Sequence, residues 1–214
     1  MFVFIDSAVT GCNIAMADKA NVLTIHQEPI TRGHAEFIIP QYQKMMGECD
    51  KKSEDIDSVI VTVGPGSFTG LRVGITMAQT MAYAIGKTVH GITSFQTFSC
   101  GVSSNQNRMV VVDTKRDDYY VQILDANHKA ITDAVCVMPD KILNMVQEGT
   151  IVTGDAVTKL SKTIDLGSLE AMQQDMIDLP RVTDALMKGQ LEFTKAEAFY
   201  IRDADVSMPK ASKR

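Results

Sequence analysis

No CxxC pair and no cysteine beside a histidine occurs in the sequence; Cys12, Cys49, Cys100 and Cys136 stand singly. That pattern offers neither a zinc knuckle nor a redox motif, and the four read as reduced, mostly buried thiols. Long apolar runs are missing too, so no segment is a candidate membrane span. The opening MFVFIDSAV enters a strand pattern with no basic leader or cleavage site, and a cytoplasmic protein is expected. Positive charge is scarce: 21 Lys and Arg against 26 Asp and Glu give a net charge of −5 and a pI near 5.3. Binding to phosphate backbones draws on clustered Lys and Arg, so contact with nucleic acid would need a partner or a local patch. The one concentrated positive stretch, PKASKR (Lys210, Lys213, Arg214), reads as a solvated terminus in preference to an RNA-binding arm.

What is present fits a folded, globular chain. Of its 214 residues, 45% are hydrophobic and 22% charged, which excludes disordered and fibrous classes. The length accommodates one large domain or two of about 100 residues, and a repeat favours two. FVFIDSAVTGCNIAMADKANVLTI reads as three strands joined by tight turns, and MVVVDTKRDDYYVQILDANHKAIT, from Met109, has the same outline. A constant offset lays Asp113 under Asp6, Val121 under Ile14, Ile123 under Met16 and Asp125 under Asp18. Each triplet is followed by a helical stretch, a β-rich run ending in glycine (SVIVTVG, TIVTG) and another helix. The chain therefore reads as βββαβα twice, residues 1–103 and 104–214, with the break in the polar segment Gly101 to Arg108. Two such halves facing each other resemble the actin-like ATPase superfamily. There the first strand turn is a phosphate loop whose glycine admits a phosphate. Here Ala8 stands at the glycine position of DSAVTG, and Asp113-Thr114-Lys115 lacks the glycine as well, which puts nucleotide binding by this chain alone in doubt.

The stretch VGPGSFTG, residues 63–70, invites catalytic readings that its spacing rejects. A nucleophile elbow needs glycines two positions either side of the serine, and Ser67 has Pro65 and Thr69 there. A Walker loop needs Lys-Ser or Lys-Thr after its last glycine, but Leu71 and Arg72 follow Gly70. A dinucleotide fingerprint is approached by Gly64, Gly66 and Gly70, yet KTVHGITS lacks the acidic residue expected at the end of the next strand. The structural reading requires less: Gly64, Pro65 and Gly66 turn the chain out of a buried strand, Ser67 or Thr69 caps a helix, and Gly86 closes it. Within that helix Gly74, Ala78 and Ala82 form a small-residue stripe beside an apolar ridge of Val73, Met77, Met81 and Ile85. In the preceding helix His34, Phe37 or Ile38, Tyr42 and Met45 share a face, with Glu36, Gln43 and Lys44 looking outward. Core packing accounts for each residue singly; the two helices together also suit a partner-binding surface.

GPGSFTGLRVG, with IDSA at the amino terminus, GHAEFIIP, DTKRDDYYV and the closing EAFYIRDADV, resembles the bacterial TsaB (YeaZ) family almost from end to end. The resemblance implies a non-catalytic role in making threonylcarbamoyladenosine beside the anticodon of ANN-decoding tRNAs. The implied partners are the paralogue TsaD, which transfers the group, and the ATPase TsaE, with ATP and metal held on those chains and tRNA met only through the complex. TsaD-like proteins bind metal through His-x-x-x-His in the first helix; here Ile38 stands four residues after His34, so one ligand is missing and no metal is expected. The resemblance also implies that residues 33–47 and 69–85 form the face that pairs with TsaD, or with a second copy in a homodimer. A bulky residue at Gly74 or Ala78 is expected to weaken that pairing while leaving the fold intact. Arg72 is a further candidate for contact with a partner or a tRNA phosphate. The rival reading is a kinase-like, ATP-binding enzyme of the actin-like superfamily, for which Asp6 and Asp113 are the candidate carboxylates. A metallopeptidase would rest on His34 alone.

Overall fold

The structure, a computed structural model, describes residues 1–30 and 32–201; the tail residues Lys210, Lys213 and Arg214 lie outside the described residues. The first half runs β1 (Phe2–Asp6), β2 (Cys12–Ala17), β3 (Val22–Glu28), α1 (His34–Glu48), β4 (Ser58–Thr62), α2 (Phe68–Ala84), β5 (Thr88–Ile92) and α3 (Ser94–Cys100). The second runs β6 (Arg108–Asp113), β7 (Tyr119–Leu124), β8 (Val135–Val137), α4 (Pro139–Ile142), β9 (Ile151–Gly154), α5 (Val157–Ser161), β10 (Ala171–Gln173) and α6 (Leu179–Met187). Each half thus carries one strand and one helix more than βββαβα. The sheet orders are β3-β2-β1-β4-β5 and β10-β9-β6-β7-β8, the same order read from opposite edges. In both, the first three strands are antiparallel neighbours and the last two run parallel to the first. The result is an actin-like, two-subdomain α/β fold.

Three apolar layers hold it together. Val3 and Ile5 of β1 pack with Ile14, Ile38, Leu71 and Ala78 under α1 and α2, while Met109 and Val111 of β6 pack with Val121, Ile142 and Leu160 under α4 and α5. Between the sheets lies a third cluster, in which Phe4, Ile60, Val110 and Val112 meet Phe95 and Phe98 of α3 and Leu179, Val182 and Leu186 of α6. The two added helices are exchanged between the halves. α3 follows the first sheet but packs against β6, β7 and β9, whereas α6 follows the second and packs against β2 and β3. Neither half covers its own inner face, because the helix that buries it comes from the other.

The repeat differs from the constant-offset reading by one residue in the first hairpin. Side chains alternate faces along a strand. Ile5 and Val111 both face the outer helices, so Asp6 points toward the sheet interface, and Asp113, two residues beyond Val111, points toward α5. The two aspartates are therefore not equivalent. Asp18 and Asp125 do match: Asp18 Oδ1 accepts the amides of Ala20 and Asn21, and Asp125 Oδ1 those of Asn127 and Lys129, each closing the turn into the third strand.

Candidate functional site

The cleft between the halves lies where an actin-like fold presents its strand turns. The first turn, Ser7 to Gly11, is covered by the glycine-rich loop. Ser67 N donates to Ala8 O at 2.7 Å and Ser7 Oγ donates to Gly70 O at 2.9 Å. A Cβ on Gly66 would lie 2.0 Å from Ala8 O, and one on Gly70 would lie 1.9 Å from Ser7 O. Glycine is required at both because backbone meets backbone. Ser67 Oγ accepts the Gly70 amide at 3.2 Å as the N-cap of α2, worth about 1 kcal/mol. The loop is a corner packed on the turn beneath it, and Gly64, Pro65 and Thr69 lead the chain through it into α2.

Asp6 is sealed behind this corner, with no exposed surface. Its Oδ2 accepts the Asn13 amide at 2.8 Å and Oδ1 the Ala8 N–H at 3.3 Å. Burial pushes its carboxyl up from the ordinary carboxylate range, and these hydrogen bonds offset only part of that rise. A carboxyl so enclosed has no open side for a substrate or an ion. In the second half, Asp113 is held by Lys159 Nζ at 2.7 Å and Lys115 Nζ at 3.0 Å. Burial raises the Asp113 carboxyl, but the Lys159 ammonium, the Lys115 amide at 2.8 Å and the Lys115 ammonium together outweigh it and hold the group below its usual value. Asp155, which follows β9, accepts the Asp113 amide at 2.8 Å and is pushed up to about 6, mainly by burial. Sequence reasoning passed over Asp155; the signal was the glycine-ended strand TIVTG directly before it. Between these groups, Ala8, Thr10, His34 and Ser67 lies a cavity of about 200 Å³, smaller than the ~300–1,000 Å³ usual for ligand pockets.

His34 opens α1 beside this cavity, half-buried, and Ile38 one turn on is fully buried in the core under the sheet. Among the described residues no three His, Cys, Asp or Glu side chains converge to hold a metal ion. His34 therefore belongs to no such group.

The two-helix face separates into inward and outward residues. Of the residues expected at a partner face, Ile38, Met45, Gly74, Ala78 and Met81 are buried in the chain's own core. The small-residue stripe lets α2 approach its own first turn: a Cβ on Gly74 would lie 2.5 Å from Ser7 Oγ. A bulky residue there would strike the fold itself, contrary to the expectation that it would be tolerated. Phe37, Tyr42, Val73 and Met77 are half-buried, and Arg72 is exposed, with its guanidinium 3.9 Å over the Phe68 ring. With exposed Thr76 and Thr80, and with Tyr83 at 90% exposure, they make up the outer surface of α1 and α2. The segment after α6 also returns to the first half: Thr194 pairs with Gly91 of β5, Gln79 Nε2 donates to Ala196 O at 2.8 Å, and Phe199 N donates to Val63 O at 2.8 Å.

Among the described residues no helix is long and apolar enough to cross a membrane. Comparison with known proteins places this architecture. A profile of the TsaD family, described as tRNA N6-adenosine threonylcarbamoyltransferase, matches residues 21–207. The tRNA threonylcarbamoyladenosine biosynthesis protein TsaB of Haemophilus influenzae is 22% identical over 220 residues, covering 93% of this chain and 92% of that one. TsaB of Bacillus subtilis is 26% identical over 95 residues, 44% of this chain and 42% of the relative, so that match spans less than half of either. A structure of YeaZ from Pseudomonas aeruginosa superposes with a TM-score of 0.77 at 15% identity, covering 93% of this chain and 98% of the other. A second Pseudomonas aeruginosa structure, described as similar to peptidase YEAZ, does so equally, at 17% identity. At such identities the superposition speaks for the fold, and the profile match carries the family. The chain belongs to the TsaD family and, within it, to the TsaB/YeaZ members.

Proposed function

We propose that this chain is the non-catalytic subunit of a tRNA threonylcarbamoyladenosine-forming assembly, pairing through the outer surface of α1 and α2 with a TsaD-like chain. The observation that carries the reading is the closed first turn. Asp6 is enclosed and the turn beside it is covered by the Gly66–Gly70 corner, so the chain's own backbone narrows the position where an actin-like enzyme works on phosphate to a cavity of about 200 Å³. The names of the relatives supply the pathway, and Ile38 in place of a second histidine supports leaving metal to the partner. ATP is assigned to the TsaD-like and TsaE-like chains, tRNA to the assembled complex, and the cytoplasm to the whole. Alone, the chain pairs with a second copy through the same face, since exposed aromatic and arginine side chains make strong contact points.

The test is mass spectrometry of nucleosides from total tRNA after depletion of this protein and its restoration. Threonylcarbamoyladenosine is expected to vanish on depletion, to return with wild type and to stay low with Thr80→Arg, whose side chain is exposed on α2. An unchanged level on depletion removes the pathway. Full rescue by Thr80→Arg, with an unchanged dissociation constant for the TsaD-like chain, removes the interface. Tight ATP–magnesium binding by the isolated chain would return the kinase-like reading.

A further inference from the structure

A second cavity, of about 450 Å³, lies between the 101–107 connection, the turn after β7 and α6. Its floor is Arg108, which is 2% exposed. Four carbonyls receive its terminal nitrogens: Nη1 donates to Gln106 O and Asp125 O at 3.0 Å each, and Nη2 to Val102 O at 3.0 Å and Ser104 O at 2.5 Å. Its Nε is buried with no partner. Among the described residues no carboxylate forms an ion pair with it. Asp125 acts on it only through space, with its Oδ1 taken by two backbone amides, and the adjacent Cys100, pushed up to about 12 by burial, remains a neutral thiol. Carbonyl dipoles satisfy hydrogen-bonding capacity, but a buried cation without a counter-ion is costly.

The rim supplies further donors. Arg181, on α6, pairs through Nε with Asp178 at 3.1 Å and through Nη1 with Ser103 Oγ, which leaves Nη2 without a partner among the described residues. His128, in a left-handed turn at φ 64°, meets Ser99 Oγ through Nδ1 at 2.9 Å. Burial and the nearby Arg108 hold His128 below its ordinary value, so it is neutral at pH 7. In the tautomer in which the Ser99 hydroxyl donates to Nδ1, Nε2–H is left as a donor. The acid on this wall, Asp184, is bound at 2.6 Å by Lys188.

We propose that this cavity is an oxyanion site that takes a phosphoryl group, with Arg108 supplying a buried charge that no carboxylate bonds directly and Arg181 and His128 the donors. The donors of Arg108 are spent on carbonyls, so it acts by charge alone, and the guanidinium donor for a phosphate oxygen is Nη2 of Arg181. Because the site joins the inter-half connection, the β7 turn and the exchanged helix α6, an occupant would tie the two halves together. The inference is independent of the pairing role proposed above. The phosphoryl group could belong to a free metabolite or to an RNA backbone, and the ligands below separate the two.

The experiment is calorimetric titration of the full chain, at constant ionic strength, with inorganic phosphate, then uridine 5′-monophosphate and the diester UpU. Saturable phosphate binding is expected, at least tenfold weaker in Arg181→Gln and in His128→Asn and unchanged in Lys44→Gln on distant α1. Preference for the monoester identifies a free phosphorylated molecule, and equal binding of UpU identifies backbone phosphate; both support the site. No saturable heat with any ligand, or equal affinity in wild type and Arg181→Gln, overturns it. Arg108→Lys is a further variant, and should it fail to fold, the two rim variants still decide.

Discussion

An alanine at position 70 would place its methyl 1.9 Å from the Ser7 carbonyl oxygen and 3.1 Å from its carbon. Restoring ordinary contact requires a separation of about 1.5 Å more between the first strand turn and the start of α2. Neither side is free to give it. The turn is held by Ser67 N to Ala8 O at 2.7 Å and Ser7 Oγ to Gly70 O at 2.9 Å, and the helix by Leu71, which is 1% exposed. Overpacking of this kind costs about 1–3 kcal/mol, and losing two buried hydrogen bonds adds about 1 kcal/mol each. Gly70→Ala should therefore destabilise by about 3–5 kcal/mol, roughly a 10 °C fall in Tm for a chain of this size. The control is Gly47→Ala on α1, where a Cβ meets nothing within 4 Å and helix propensity predicts a gain of up to about 1 kcal/mol. Urea and thermal unfolding followed by circular dichroism would read both. A phosphate-cradling glycine would behave differently, with stability kept and nucleotide affinity lost. If Gly70→Ala unfolds within 1 kcal/mol of wild type, the corner is not structural and the reasoning for the closed cleft fails with it.

Asp155 gives a pH signature. Its carboxyl is raised in the folded chain to about 6 from an ordinary 3.8, so its contribution is most favourable below the unfolded value and is lost as pH rises from about 4 to about 6. Asp155→Asn keeps an acceptor for the Asp113 amide, so its stability relative to wild type should improve by about 1–3 kcal/mol between pH 4 and 7; a pH-independent difference would refute this. Ending the chain after Glu192 removes the Thr194–Gly91 bridge and the bonds to Ala196 and Phe199, and should lower stability by about 3 kcal/mol, measurable as a fall in Tm. Ser67→Ala should cost about 1 kcal/mol through the lost cap, with no effect on partner affinity beyond that of the lower stability.

Local signals in the sequence were read close to where the structure has them, and non-local ones were not. Helices expected at residues 33–47 and 69–85 run over His34–Glu48 and Phe68–Ala84, because caps, glycines and apolar spacing act within one or two turns. Asp18 and Asp125 close equivalent turns for the same reason. Asp6 and Asp113 share a letter and an offset but point to opposite faces, since a period of two turns a one-residue difference in a hairpin into a change of side. The exchange of α3 and α6 left no local trace: α3 (SFQTFSC) is a short, half-polar segment that is nonetheless buried throughout, α6 is amphipathic, and only the packing of the whole decides which sheet each covers. Gly74 and Ala78 carry the plainest version of the limit. Small residues four apart signal that another backbone comes close, and the spacing is silent on whose backbone it is. Here, at Gly74, it is the chain's own first turn, and Ala78 lies in the core beneath the helix, so the stripe serves the chain's own packing. A partner that pairs through α2, as proposed, would meet its opposite side, where Val73, Thr76, Met77 and Thr80 lie within reach of solvent. The residues that pack on the first turn and those proposed for pairing are then two sides of one helix, joined by the Ser67 corner that fixes where that helix begins.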